Sequence, residues 1–151
     1  MPDSSAVIQQ HGVMVRWQDH GLLICGPPGI GKSSLALAIV KQGGQLIADD
    51  IVDISRRQNQ LIACCPPTID GQLHSRELGL LNIRSLFDNE AVQPESKLDA
   101  IIELLAEPPK TVSFQPQQFT TLLGLKLPVL ALSINNPLSL PERIDLWLRR
   151  Q

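Results

Sequence analysis

The chain has 151 residues, 43% hydrophobic and 19% charged, with a net charge of -2. That length suits one domain with a real core, no apolar run is long enough to cross a bilayer, and the near-neutral charge gives no electrostatic case for nucleic acid or a membrane surface. Three cysteines, with Cys64 and Cys65 adjacent, fit neither a disulfide framework nor a metal site; with no secretory signal at the start, they point to buried thiols in a reducing cytoplasm.

Residues 1–6 are small and polar and are expected to be loose. Gly12 to Trp17 reads as a strand, Gln18 to Gly21 as a turn and Leu22 to Cys25 as a second strand, so the chain opens on a hairpin. Gly26-Pro27-Pro28-Gly29-Ile30-Gly31-Lys32-Ser33 then fits the phosphate-loop pattern G-x-x-x-x-G-K-[ST]. Its glycines let backbone N–H groups converge on an anion, and the following helix, from Ser34 to Lys41, adds free donors and a positive partial charge. Lys32 would reach the β- and γ-phosphates and the Ser33 hydroxyl would sit on Mg²⁺. Gly26 to Ser33, with Ser34 at the helix start, are therefore the candidate nucleotide-binding residues.

The helix ends at Gln42-Gly43-Gly44, where glycine can take the left-handed cap conformation. Gln45 to Ala48 is a short strand that stops at Asp49-Asp50, where a carboxylate can return to the phosphate end of the sheet. One of the pair could organise Mg²⁺ or its waters and the other serve as base; the residues alone do not say which. Ser33 is the candidate metal ligand, joined on the metal side by one of these two aspartates. Ile51–Ser55 and Gln60–Cys65 are strand candidates, and Leu78–Ile83 is a further apolar run. Lys97–Leu105 fits a helix face through Leu98, Ile101, Ile102 and Leu105, and equally a strand through Leu98, Ala100, Ile102 and Leu104. Pro108-Pro109 and Gln115–Gln118 mark loops, Leu127–Ile134 a late strand, and Pro141 the first helical residue of a segment with Ile144, Trp147 and Leu148 on one face.

His11-Gly12-Val13, the hairpin, the glycine loop and Leu46-Ile47-Ala48-Asp49-Asp50 together resemble the catalytic domain of bacterial HPr kinase/phosphorylase. Arg76-Glu77-Leu78-Gly79-Leu80-Leu81-Asn82-Ile83 is similar to that family's segment Arg-Gly-Leu-Gly-Ile-Ile-Asn-Val. The likeness is close from His11 to Asp50, moderate to Leu105 and faint over residues 106–151. It implies a single α/β phosphate-loop domain over residues 1–151, with a mixed sheet, hairpins and flanking helices, related to phosphoenolpyruvate carboxykinase. It implies ATP and Mg²⁺ as cofactors, a serine of the phosphocarrier protein HPr as acceptor, a role in regulating carbohydrate metabolism, and a short form without the family's N-terminal domain. It also implies a homo-oligomer, the family being hexameric. Carried over by position, Asp50 matches the proton acceptor, Lys32 and His11 match other catalytic residues, and Ser33 matches the Mg²⁺ ligand, which leaves Asp49 with Ser33 on the metal side.

Three departures stand out. His74 replaces a Mg²⁺-binding Glu, and a neutral imidazole is a poor substitute for a hard anionic oxygen. The family's catalytic arginine has no match around Pro108–Phe114. Ser133 to Ser139 lacks both arginines of a loop tied to dephosphorylation, so the kinase direction is expected to survive better than the phosphorylase direction. The same departures leave two further readings: a nucleotide-binding regulator without turnover, and a kinase for another acceptor.

Overall fold

The computed structural model describes residues 6–108 and 117–151. Most of the stretch expected to be loose, and Pro109 to Phe114, lie outside the described residues. In chain order the strands are β1 (Val7–His11), β2 (Val13–Trp17) and β3 (His20–Cys25), followed by helix α1 (Lys32–Lys41). Next come β4 (Gln45–Ala48), β5 (Ile51–Arg57), β6 (Gln60–Cys64), β7 (Gln72–Ser75), β8 (Gly79–Asn82) and the short helix α2 (Ile83–Leu86). The chain ends with β9 (Glu95–Lys97), β10 (Ala100–Leu105), β11 (Gln118–Leu122), β12 (Leu125–Ser133) and α3 (Leu140–Arg149).

Six strands form a mixed sheet in the order β11-β12-β10-β3-β2-β4, four form an antiparallel sheet in the order β1-β5-β6-β9, and β7-β8 is a separate hairpin. The expected opening hairpin is present, and only Gln18 and Asp19 turn it. Both have positive φ (52° and 63°), which matches the twist of a tight hairpin.

Alternation along β2 and β3 divides the core into two layers. Val13, Val15, Leu22 and Ile24 pack with Leu35, Ala36 and Ile39 of α1 and Ile144 and Leu148 of α3. Met14 and Leu23 face the other way, onto Val52, Ile54, Leu61 and Ala63 of the four-stranded sheet. The larger sheet is thus covered on both faces, which is why its central strands read as unbroken apolar runs. Burying each of these large side chains contributes about 1.5–3 kcal/mol.

Several expectations change. β1 was not expected, because Val7–His11 is mostly polar; it lies at an edge of the smaller sheet, with Val7, Gln9 and His11 exposed. Lys97–Leu105 resolves to strand: Ala100, Ile102 and Leu104 are buried and Glu103 exposed, while β10 lies parallel to both β3 and β12. Gln118 begins β11 instead of closing a loop. Leu78–Ile83 splits between β8 and the start of α2. The last helix begins one residue before Pro141, capped by Ser139, whose hydroxyl accepts from the Glu142 N–H. All three cysteines are free and half-buried, not fully buried.

Candidate phosphate-binding site

The direction of the strands assembles the site. β3 and β10 are parallel, β12 is parallel to β10, and β4 shares the direction of β3 because both are antiparallel to β2. All four therefore end at one edge of the sheet, where ligands of open α/β sheets gather. The glycine loop leaves β3 there, Asp49-Asp50 leaves β4, and Asn135 to Ser139 follows β12.

The loop takes the shape its glycines permit. Gly29 and Gly31 have φ of 80° and 112°, a region that side-chain-bearing residues rarely occupy. Gly31 stands at the N-cap of α1 with no side-chain cap, and the first turn carries no acidic residue. The first N–H groups of the helix are thus left for an anion, with the positive end of the helix dipole behind them. The Lys32 ammonium folds back over its own loop, donating to the Gly26 carbonyl at 2.8 Å and to the Pro27 carbonyl at 3.1 Å. Ser34 is exposed on the first turn.

The adjacent aspartates are held quite differently. Asp49 is buried, at 9% exposure. Its Oδ1 accepts the Ser33 hydroxyl at 3.0 Å and its Oδ2 accepts the His74 backbone N–H at 2.8 Å. Asp50 is exposed and its side chain makes no hydrogen bond among the described residues. Its φ is 75°, and the Ile51 N–H donates across it to the Asp49 carbonyl at 3.0 Å. That is a γ-turn of the rare positive-φ kind, a strained conformation for any residue with a side chain. The Gly12 N–H donates to the Asp50 carbonyl at 3.1 Å, and His11 pairs with Ile51 across β1 and β5. His11 and Asp50 thus share one corner of the site, and Ser33 and Asp49 share another.

The β7-β8 hairpin closes over the loop, a contact that sequence reasoning missed. Leu73 is fully buried against the α1 side of the core while His74 is exposed beside it. In the turn beyond, Arg76 lies against the phosphate loop: a methyl group built on Gly29 would stand 3.1 Å from both terminal nitrogens of its guanidinium. Arg76 was visible only as part of a family-like segment, with no position of its own.

Cys25 stands at the entrance to the loop. Burial pushes its thiol up, Glu103 adds to the rise and Lys32 opposes it, so it stays protonated at neutral pH and is no nucleophile. The open hollow lined by Arg56 to Gln60 is unrelated to this edge, since β5 runs away from Asp50 for about 20 Å before reaching it. No helix among the described residues is long and apolar enough to cross a membrane.

Comparison with known proteins agrees with this geometry. The HPr serine kinase C-terminal domain family matches residues 4–146. The HPr kinase/phosphorylases of Burkholderia lata and Burkholderia cenocepacia are each 35% identical over 125 residues, covering 82% of this chain and 39% of theirs. The chain thus spans well under half the length of these curated relatives. The solved structure of the Hpr(Ser) kinase/phosphatase from Coxiella burnetii superposes with a TM-score of 0.86 at 28% identity, covering 95% of this chain and 89% of that one. The fold is therefore the mixed α/β fold of that enzyme, and the family match extends through the segment where the sequence likeness looked faint. The chain belongs to the HPr serine kinase C-terminal domain family.

Proposed function

We propose that this chain is an ATP- and Mg²⁺-dependent protein serine kinase acting on HPr or a related protein acceptor, and that it regulates carbohydrate metabolism. The observation that carries this reading is the division between the two aspartates. Asp49 is buried and tied to the loop's Ser33, whereas Asp50 lies beside His11, exposed and strained, with no side-chain hydrogen bond among the described residues. A neighbouring pair held this way suits one organising carboxylate and one proton acceptor.

The residues present fit both cofactors. The uncapped, acid-free start of α1 and the glycine backbone would hold the phosphates. Because the Ser33 hydroxyl donates its proton to Asp49, its oxygen lone pairs are free for a cation. No cluster of three or more His, Cys, Asp or Glu side chains able to hold a metal occurs among the described residues. Mg²⁺ keeps waters and takes phosphate oxygens alongside few protein ligands, so Ser33, with Asp49 organising the waters, would suffice to hold it. Mg²⁺ would neutralise charge on the phosphate oxygens. Lys32 would exchange the loop carbonyls for the terminal phosphates, and Asp50 would take the acceptor hydroxyl's proton as that oxygen bonds phosphorus and ADP departs. His11 would orient Asp50 and the acceptor.

We read the chain as one catalytic domain, cytoplasmic and self-associating, with the kinase direction dominant. A second reading, a nucleotide-binding regulator without turnover, is favoured by His74 standing where the resemblance implies a metal-binding Glu. Incubation with labelled ATP, Mg²⁺ and HPr, beside an Asp50→Asn variant, separates the two. Label on an HPr serine that is lost with Asp50→Asn supports the kinase. Nucleotide binding with no Asp50-dependent transfer to any acceptor would sink it.

A further inference from the structure

We infer that Gly12 is a positioning residue for the proposed proton acceptor. Its buried N–H holds Asp50 in the strained turn, and its bare Cα seats that corner on the strand that feeds the glycine loop. The inference rests on the kinase reading above and adds the residue that fixes where Asp50 stands.

Topology is the first support. The chain passes between the two sheets twice at this corner, at Gly12 between β1 and β2 and at Asp49-Asp50 between β4 and β5. β1 pairs with β5 and β2 with β4, so the two passages run side by side. The Gly12 N–H on the Asp50 carbonyl, at 3.1 Å, is a rung between the ladder ending at His11 and Ile51 and the one ending at Met14 and Ala48. His11 and Asp50 flank that rung and are exposed, while Gly12 is buried. Gly12 would therefore act on an acceptor only through its neighbours.

Strain is the second. A residue with a side chain keeps a costly positive φ only where its surroundings over-determine it. The Ile51 N–H on the Asp49 carbonyl closes the turn around Asp50, and the Gly12 N–H fixes the carbonyl of Asp50 itself. Without the second bond the Asp50 peptide could rotate, and the carboxylate would turn with it.

Close approach is the third. A methyl group built on Gly12 would stand 2.7 Å from the Ile24 carbonyl oxygen and 3.1 Å from Leu23 Cδ1. A backbone carbonyl inside a sheet cannot swing aside, so any side chain here would push the corner off β3. Ile24 lies two residues before Gly26, so the same contact sets the spacing between Asp50 and the loop. Misplacing a reacting group by about 1 Å can cost roughly a hundred-fold in rate.

Single-turnover transfer from labelled ATP to HPr, with ATP affinity and melting temperature, tests this in four variants. They are Gly12→Ala, Asp50→Asn, the two combined, and Gly44→Ala, a tightly packed glycine at the far end of β4. A fifth protein carries glycolic acid at position 12, a backbone ester that removes the N–H and adds no bulk. Gly12→Ala should slow transfer by roughly ten- to a hundred-fold and leave ATP affinity within about two-fold. The ester should slow it by roughly three- to ten-fold, the size of one hydrogen bond. Adding Gly12→Ala to Asp50→Asn should change the residual rate by less than about two-fold, because both act through one carboxylate. Gly44→Ala should lower the melting temperature without slowing transfer by the folded protein. If Gly12→Ala does not fold, the ester decides alone. Asp50-dependent transfer that the ester and Gly12→Ala leave at full rate overturns the role of Gly12 while the kinase reading stands. An equal loss in the Asp50→Asn background, or a loss that Gly44→Ala reproduces, overturns it as well. If the unaltered protein binds ATP but transfers no label, both readings fall together.

Discussion

The Ser33 hydroxyl donates to Asp49 Oδ1 at 3.0 Å, and the other oxygen of that carboxylate accepts the His74 backbone N–H at 2.8 Å. One buried side chain thus ties the first turn of α1 to the hairpin above it. Asp49→Asn replaces an acceptor-only group with one that presents N–H to at least one of two donors. It should destabilise the fold by about 1–3 kcal/mol in urea unfolding. Magnesium-dependent nucleotide affinity should fall with it. An unchanged urea midpoint would show that the tie contributes nothing.

Asp50 should behave in the opposite way. At φ 75° it holds a conformation that glycine adopts freely and β-branched residues resist. Asp50→Gly should leave stability between unchanged and about 1 kcal/mol higher, whereas Asp50→Val should lower it by about 1–2 kcal/mol. Both should lose phosphoryl transfer by roughly 10²- to 10⁴-fold if the carboxylate takes the proton. Urea midpoints paired with single-turnover transfer check this, and a destabilised Asp50→Gly would show that no strain is stored there.

The hairpin is held from below by packing. Leu73 is fully buried among the side chains under α1. Leu73→Ala should cost about 2–5 kcal/mol, the usual range for a buried leucine replaced by alanine. Because the same hairpin carries His74 and Arg76, exchange of its backbone N–H groups, read by hydrogen–deuterium exchange, should speed up more than that of β5 and β6. Uniform acceleration across all three would count against a local anchoring role.

Thiol titration gives the pH dependence. Burial pushes Cys65 up to about 11 from 9.0, with Asp70 and Asp53 adding to the rise. Below pH 9 the thiol keeps its proton in both states and contributes nothing. Between 9.0 and about 11 the unfolded chain releases a proton that the folded chain retains, so stability falls as pH rises. Cys65→Ala should flatten the slope of the urea midpoint over that window and leave it unchanged at pH 7. Alkylation of Cys65 by iodoacetamide should be slow at pH 8 in the native protein and fast in urea.

The order of elements around the loop was readable because its signals are local. Glycine spacing defines the loop before α1, short apolar runs mark β2, β5 and β6, and paired glycines end α1. The elements that escaped lack such signals. β1 is a mostly polar edge strand, and β7 and β11 each have only one or two large apolar side chains. Lys97–Leu105 fits two periods, and only its neighbours on both sides make β10 a strand.

The sequence by itself determined the glycine loop, the strand and helix that flank it, and the family likeness, since each depends on residues close together in the chain. Only the tertiary structure decided how Asp49 and Asp50 divide, because Asp49 meets a backbone N–H 25 residues away while Asp50 is bent into a strained turn. It likewise brought Arg76 onto Gly29 through a hairpin whose position depends on the buried Leu73 and on a single carboxylate. Contacts of that kind follow from how layers stack and strands align, which no local pattern of residues records.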